Sequence, residues 1–237
     1  MTSKPLTFTD SFAESVKRLE ETHGWSITSA SSTPSTLTMT YKSELQLFFH
    51  PRAFYRSDDD SGDRPNAPIR LSYLDEGKKP MTTTLRFFLQ FLRACLLGLP
   101  QCTTKISSLL GLVSNGWDTA SSIAEAERRL NLETLTESRI VSDEQLAIEA
   151  NVLLPKVKTK VRATFDVSAR LVEDGDEMRM ECVCAPRVLV VYGEQYNERN
   201  MGEYLRGLVG DGFEGWDAAV RGMREKLIAR GAKGTRK

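Results

Sequence analysis

The stretch KVKTKVRATFDVSARL, residues 156–171, decides the fold of the second half of the chain. Apart from Thr159, its odd-numbered positions are apolar or small, whereas its even-numbered positions are charged or polar. This period of two is typical of a half-buried strand in an antiparallel sheet, because successive side chains point to opposite faces. Phe165 lies in the middle of the apolar set, so we predict that it is buried in the core.

The segments on either side of this strand predict how it pairs. A turn at Asp174-Gly175 pairs residues whose numbers sum to 349, and a turn at Pro155-Lys156 pairs residues whose numbers sum to 311. Both registers place apolar residues opposite one another, and the second places Leu153 opposite Lys158. Since proline fits a two-residue hairpin turn poorly, a longer loop with the same register is the alternative for the second turn.

Four cations occupy alternate positions in this stretch, and a period of two therefore predicts one basic face that carries Lys156, Lys158, Lys160 and Arg162. One interpretation is a solvated sheet face, which solubility alone explains. The other is a docking surface for an acidic or extended partner segment, with Leu153 as an apolar neighbour. We take these five residues as the candidate partner-binding set.

The same order of elements occurs twice along the chain. Each half is predicted to contain a helix, an antiparallel sheet and two further helices, which is an α+β architecture. In the first half, one helical stripe precedes strand-like segments at 25–30, 36–41, 44–49 and 69–74; the stripe consists of Phe8, Phe12, Val16 and Leu19. The apolar residues of the second and third segments are all odd-numbered, so they share one face of the sheet only if paired residue numbers sum to an even value. This condition predicts a three-residue loop at 42–44.

The helices predicted after this first sheet span 85–97 and 105–113, and the next helix spans 118–130. Ser114-Asn115-Gly116 reads as a turn between the last two. We therefore predict a boundary near Gly116, with one domain at 1–116 and a second at 117–237 that ends in a basic tail. The second domain has strands over 133–192 and helices at 198–208 and 216–229, and an acidic loop at 57–68 is predicted to be mobile.

Composition limits the function classes. A length of 237 residues suits two domains of about 100 residues each. Lys plus Arg number 32, as do Asp plus Glu, and this balance argues against a general nucleic-acid or membrane-surface binder. Four cysteines and no evident secretory signal predict reduced thiols in the cytosol or nucleus.

Five phrases of the sequence resemble the C-terminal region of the fungal kinetochore-null family, which is the scaffold of the outer-kinetochore KMN network. They are GWSI (24–27), LQLFFHP (45–51), NGWD (115–118), LLPKVKTKV (153–161) and VYGEQYN (191–197). The resemblance implies two tandem RWD domains that form part of a larger protein. It also implies a nuclear location, at the centromere and kinetochore of the chromosome.

The function implied by this resemblance is that of a non-enzymatic adaptor. It would dock the scaffold onto the MIND complex by binding the C-terminal segment of a MIND subunit, and so support kinetochore assembly and chromosome segregation in mitosis and cell division. A Zwint-like partner would bind an adjoining coiled coil that is not in this chain. An RWD adaptor in another pathway is one alternative.

The other alternative is a ubiquitin-conjugating-like enzyme or enzyme cofactor, since RWD domains share the fold of such enzymes. His50-Pro51 matches part of their signature, but the next cysteine is Cys95, on the apolar stripe of a helix. Cys182 and Cys184 fall on the predicted core face, and a zinc site needs about four ligands. The sequence therefore predicts no catalytic residue, no metal and no cofactor.

Overall fold

The computed structural model describes residues 23–54, 66–74, 80–175, 177–210 and 212–234. The helix predicted over the stripe from Phe8 to Leu19, and most of the acidic loop at 57–68, lie outside the described residues. Within the described part the chain has two four-stranded antiparallel sheets and four α-helices, which confirms the predicted α+β class. The chain divides into two compact units, Met1–Pro80 with Leu96–Ser107, and Met81–Cys95 with Ser108–Lys237.

The first unit contains a sheet of strand order β1-β2-β3-β4. Its strands are β1 (Trp25–Ser32), β2 (Ser35–Tyr41), β3 (Leu45–Phe49) and β4 (Arg70–Tyr73). Tyr41 pairs with Leu45, which confirms the predicted three-residue loop. Lys42 and Ser43 close this loop with φ values of 48° and 57°, in the left-handed region. On β3 the alternate residues Leu45, Leu47 and Phe49 are fully buried, as the period of two requires.

In the first unit, side-chain hydrogen bonds to the backbone join the segment at residues 66–67 to the segment at residues 99–101. The Gln101 amide accepts from the Ala67 N–H at 3.0 Å and donates to the Ala67 carbonyl at 2.6 Å. Asn66 Nδ2 donates to the Leu99 carbonyl at 2.8 Å. Gln101 is therefore buried with both ends of its amide satisfied.

The second unit contains most of the two helices α1 (Thr83–Leu97) and α2 (Ile106–Glu133). The predicted turn at Ser114-Asn115-Gly116 is wrong, because α2 runs through it without a break. Packing explains the difference: Gly116 is buried, and a Cβ added there would lie 2.6 Å from Leu92 Cδ2, so glycine permits a close approach of the Leu92 side chain. The domain boundary near Gly116 stays a prediction, and it falls inside a continuous helix.

The sheet of the second unit has the order β5-β6-β7-β8, and the strand region predicted at 133–192 is confirmed. The strands are β5 (Leu135–Ser142), β6 (Gln145–Leu154), β7 (Thr159–Asp174) and β8 (Glu177–Tyr192). The predicted register between the last two strands is wrong by two residues, since Asp174 pairs with Glu177 and Leu171 with Met180. Gly175, at φ 61°, is the first residue of the turn between Asp174 and Glu177, whereas the prediction made it the second residue of a turn that began at Asp174. A shift of two preserves the faces, so the apolar side of β7 remains the core side.

The core of this unit lies between the sheet and the helices α3 (Glu198–Val209) and α4 (Trp216–Gly234). Phe165 is fully buried, as predicted, and its ring stacks on Trp216 at 4.3 Å between centroids with 9° between planes. At the edge of the sheet, the Val190 N–H donates to Glu198 Oε1 at 2.8 Å, and Pro186 lies in the same strand. Among the described residues, no helix has the length and apolar character needed to cross a membrane.

Candidate partner-binding surface

The predicted basic face is divided between a turn and a strand. Lys156 lies in a short 3-10 helix, Pro155–Val157, and Lys158 follows it with φ 48°. Only Lys160 and Arg162 lie on β7. The prediction that all four cations share one strand face is therefore wrong. The physical reason is Pro155, which begins a four-residue connection instead of the predicted two-residue turn.

The longer connection also shifts the pairing of β6 with β7. Leu154 pairs with Thr159 and Leu153 with Lys160, so the predicted register, in which Leu153 faced Lys158, is wrong by two residues. Because the shift is even, Leu153 keeps the face that Lys160 and Arg162 occupy. We call this the outer face of the second sheet; the face that carries Phe165 is the core face.

The outer face carries a row of residues that crosses all four strands. Leu135 pairs with Asn151, Asn151 with Arg162, and Arg162 with Leu189. In the adjacent row Leu153 pairs with Lys160 and Lys160 with Tyr192. Directly opposed residues on antiparallel strands are near neighbours on one face. We call the six residues Leu135, Leu153, Lys160, Arg162, Leu189 and Tyr192 the outer patch.

The four apolar and aromatic members of the outer patch are exposed to an unusual degree. Their exposed fractions are 65% for Leu135, 55% for Leu153, 43% for Leu189 and 54% for Tyr192. Single exposed apolar residues are ordinary, but neighbouring ones on one sheet face are typical of an interaction surface. Of these four apolar and aromatic residues, sequence reasoning identified only Leu153. The odd numbering of Leu189, opposite in parity to the core-facing Cys182 and Cys184, was a usable signal.

Charges around the outer patch are only partly compensated. Arg162 Nη1 lies 3.2 Å from Glu149 Oε2, and the same carboxylate lies 3.7 Å from Arg139. No ion pair links Lys156, Lys158 or Lys160 to any other residue in the part of the chain that the structure describes. The connection between β6 and β7 is thus a local concentration of positive charge beside exposed leucines.

Two buried polar atoms lie at the centre of the patch. Asn151 Oδ1 and Arg162 Nε each have no hydrogen-bond partner among the described residues, and the two residues face each other across β6 and β7. A buried donor or acceptor without a partner costs about 1–3 kcal/mol. A bound segment that supplies a polar group here would recover part of that free energy.

Three of the four cysteines, Cys95, Cys182 and Cys184, are at least half-buried, and burial makes them poor nucleophiles. Burial raises the pKa of Cys182 and of Cys184 to about 12, and it also raises the pKa of the half-buried Cys95 thiol. These three thiols therefore stay protonated near neutral pH, whereas a nucleophile needs the thiolate. His50 is packed edge-on against Phe48, with ring centroids 5.3 Å apart. Among the described residues, no group of three His, Cys, Asp or Glu side chains could hold a metal ion.

Residues 9–124 match the Knl1 RWD C-terminal domain family. The matched segment includes the whole first sheet, α1 and most of α2. No curated protein matches the chain significantly.

Proposed function

We propose that this chain, whose residues 9–124 match the Knl1 RWD C-terminal domain family, is an adaptor that docks an outer-kinetochore scaffold onto the MIND complex. The family match itself supports a kinetochore-related role in protein binding. The finer proposal is that a C-terminal segment of a MIND subunit is the ligand. The work of such a module is recognition and positioning, in the nucleus at the kinetochore, during chromosome segregation.

We propose further that residues 117–237 form a second RWD domain. The support is architectural: each sheet has four antiparallel strands in sequential order, and two helices follow the second sheet. A Zwint-like partner would bind through a coiled coil adjoining this region. That partner is not expected to contact the outer patch.

We place the MIND segment on the outer patch and the basic connection beside it. The observation that carries this choice is the set of exposed apolar side chains Leu135, Leu153 and Leu189 on one sheet face. Exposed charge contacts contribute only about 0–1 kcal/mol each, whereas burying a leucine side chain contributes roughly 1.5–3 kcal/mol. The leucines would therefore supply most of the affinity, and Lys156, Lys158 and Lys160 would orient an acidic segment and speed its association.

The first test is a charge reversal, Lys158→Glu with Lys160→Glu, titrated by calorimetry against the purified MIND complex at low and moderate salt. We expect weaker binding and a smaller dependence of affinity on salt, since exposed charges act through a screened field. Arg206→Glu with Arg224→Glu is the matched control, because it makes the same charge change on exposed residues of α3 and α4. Circular dichroism verifies folding of both variants.

The second test removes the apolar contribution by Leu153→Ser with Leu189→Ser. We expect lower affinity at every salt concentration, with the salt dependence retained. If both double variants bind as the wild type does, the outer patch is a solvated face and the segment binds elsewhere. If the wild-type chain does not bind the MIND complex at all, the proposed function is wrong.

A further inference from the structure

A small groove lies between α3 and α4, and none of its lining residues belongs to the outer patch. Its volume is about 100 Å³, and it is lined by Asn200, Met201, Tyr204, Met223, Lys226, Leu227 and Arg230. Pockets that hold cofactors and drug-sized molecules are larger, roughly 300–1,000 Å³. The size of this groove therefore suits one side chain of a protein ligand.

The floor of the groove is apolar and adaptable. Met201, Met223 and Leu227 are buried beneath it, with exposed fractions of 6% or less. Methionine side chains are unbranched and polarisable, so they adjust to apolar groups of different shape. A leucine, isoleucine or methionine side chain from a partner fits the chemistry of this floor.

The rim of the groove is cationic. Lys226 Nζ lies 3.3 Å from the centroid of the Tyr204 ring, which holds the ammonium group at the edge of the groove. Arg230 lies on the same rim and is exposed. No acidic side chain lines the groove, and neither cation forms an ion pair with another described residue.

The sequence that follows Lys226 carries further positive charge. From residue 226 to the C-terminus the chain contains Lys226, Arg230, Lys233, Arg236 and Lys237 and no aspartate or glutamate. In a chain whose formal net charge is zero, this is a local excess of positive charge. A ligand that enters the groove is thus favoured when negative charges flank its apolar anchor.

We propose that this groove binds a short acidic segment of a protein partner, with one apolar side chain inserted between Met201 and Met223. The site is separate from the outer patch, and its existence does not depend on MIND binding. The rim cations attract and orient the segment, and the anchor supplies the apolar contact. A single anchor side chain makes the interaction weak by itself, so it suits a contact that adds to another one.

The test follows the methionine methyl signals of the whole chain by NMR, with ¹³C-labelled methyl groups. The probe is the synthetic peptide Glu-Glu-Leu-Glu-Glu, and the control peptides are Glu-Glu-Ser-Glu-Glu and Lys-Lys-Leu-Lys-Lys. We expect the signals of Met201 and Met223 to shift on titration with the first peptide only. Shifts that are the same with the serine peptide would overturn the proposal, because they would show attraction of charge without an anchor site.

A matched pair of variants localises the effect. Arg230→Glu changes a rim cation, whereas Arg224→Glu makes the same change at an exposed α4 position that does not line the groove. We expect Arg230→Glu to weaken peptide binding roughly fivefold or more, with little change for Arg224→Glu. Equal affinities for the two variants would show that the groove is not the binding site.

Discussion

Two glycines of α2 occupy contrasting environments in the same helix. A glycine in a helix interior costs about 1 kcal/mol relative to alanine, so replacing it is usually stabilising. Gly111 has no atom within 4 Å of the position that a Cβ would take. At Gly116 the added Cβ would lie 2.6 Å from Leu92 Cδ2, and the Leu92 side chain is fully buried.

These environments predict opposite effects of the same substitution. Gly111→Ala should raise the stability of the chain by up to about 1 kcal/mol, because it improves helix propensity alone. Gly116→Ala should lower it by about 1–3 kcal/mol, because Leu92 must move within a packed core. Thermal unfolding followed by circular dichroism measures both. If Gly116→Ala is as stabilising as Gly111→Ala, the close packing of α1 on α2 is wrong.

Phe165 gives the corresponding prediction for the second sheet. Its ring is fully buried and stacks on Trp216, so Phe165→Ala removes a large contact and leaves a cavity. We expect a loss of about 3–5 kcal/mol in the free energy of unfolding, measured by urea denaturation. Phe165→Leu should cost clearly less, since it fills most of the volume. An unchanged transition midpoint for the alanine variant would contradict the assignment of the core face.

At the scale of an element, Glu127 of α2 joins three parts of the second unit. Its carboxylate accepts hydrogen bonds from the Thr84 hydroxyl on α1 and the Ser138 hydroxyl on β5. Thr84 is fully buried, so a lost partner leaves its hydroxyl unpaired away from water. Glu125, two residues earlier, instead pairs with Arg128 and Arg129 on the exposed side of the helix.

We therefore expect Glu127→Ala to lower the free energy of unfolding by about 1–3 kcal/mol, as for other buried groups that lose a hydrogen-bond partner. Glu125→Ala is the control on the same helix and should change stability little, since its ion pairs are exposed. The measurement is chemical denaturation of the two variants beside the wild type. Similar losses for both would show that the Glu127 contacts do not hold α1 and β5 to α2.

Loops show where sequence reasoning about elements succeeds and where it does not. The loop at 42–44 was predictable, because the apolar parity of β2 and β3 permits few lengths. The same parity argument allowed both two and four residues after Leu154, and it could not choose between them. Pro155 makes the choice by starting a 3-10 turn, and Lys158, which follows that turn, takes a left-handed conformation. Parity therefore fixes the face of a strand, and local turn chemistry fixes its register.

Helix continuity was less predictable for a similar reason. Ser114, Asn115 and Gly116 favour a turn when they are considered alone. In the folded chain the Ser114 hydroxyl donates to the Gly111 carbonyl at 3.2 Å, and Gly116 accommodates Leu92. Tertiary packing thus outweighs the local preference, and no local pattern contains that information. The exposed members of the outer patch were missed because alternation shows a residue's face, while exposure depends on what covers that face.

For the whole molecule, the predicted boundary near Gly116 can be tested with two fragments. Fragment 117–237 begins inside α2, whereas fragment 81–237 keeps the contact of Leu92 with Gly116 and the hydrogen bond from Thr84 to Glu127. We expect the longer fragment to unfold cooperatively and at a higher temperature, because these interactions belong to the same compact unit. If the two fragments melt alike, the second predicted domain is complete from Trp117 onward.

The hydrogen bond from Val190 to Glu198 has a consequence for colloidal behaviour. The strand β8 is 16 residues long and lies at the edge of its sheet, where an unpaired backbone can recruit a strand from another molecule and start aggregation. Glu198 occupies one of its amides, and Pro186 has no amide hydrogen to offer. This edge is therefore a poor template for intermolecular sheets. Intermolecular strand pairing at this edge is thus disfavoured even at high protein concentration.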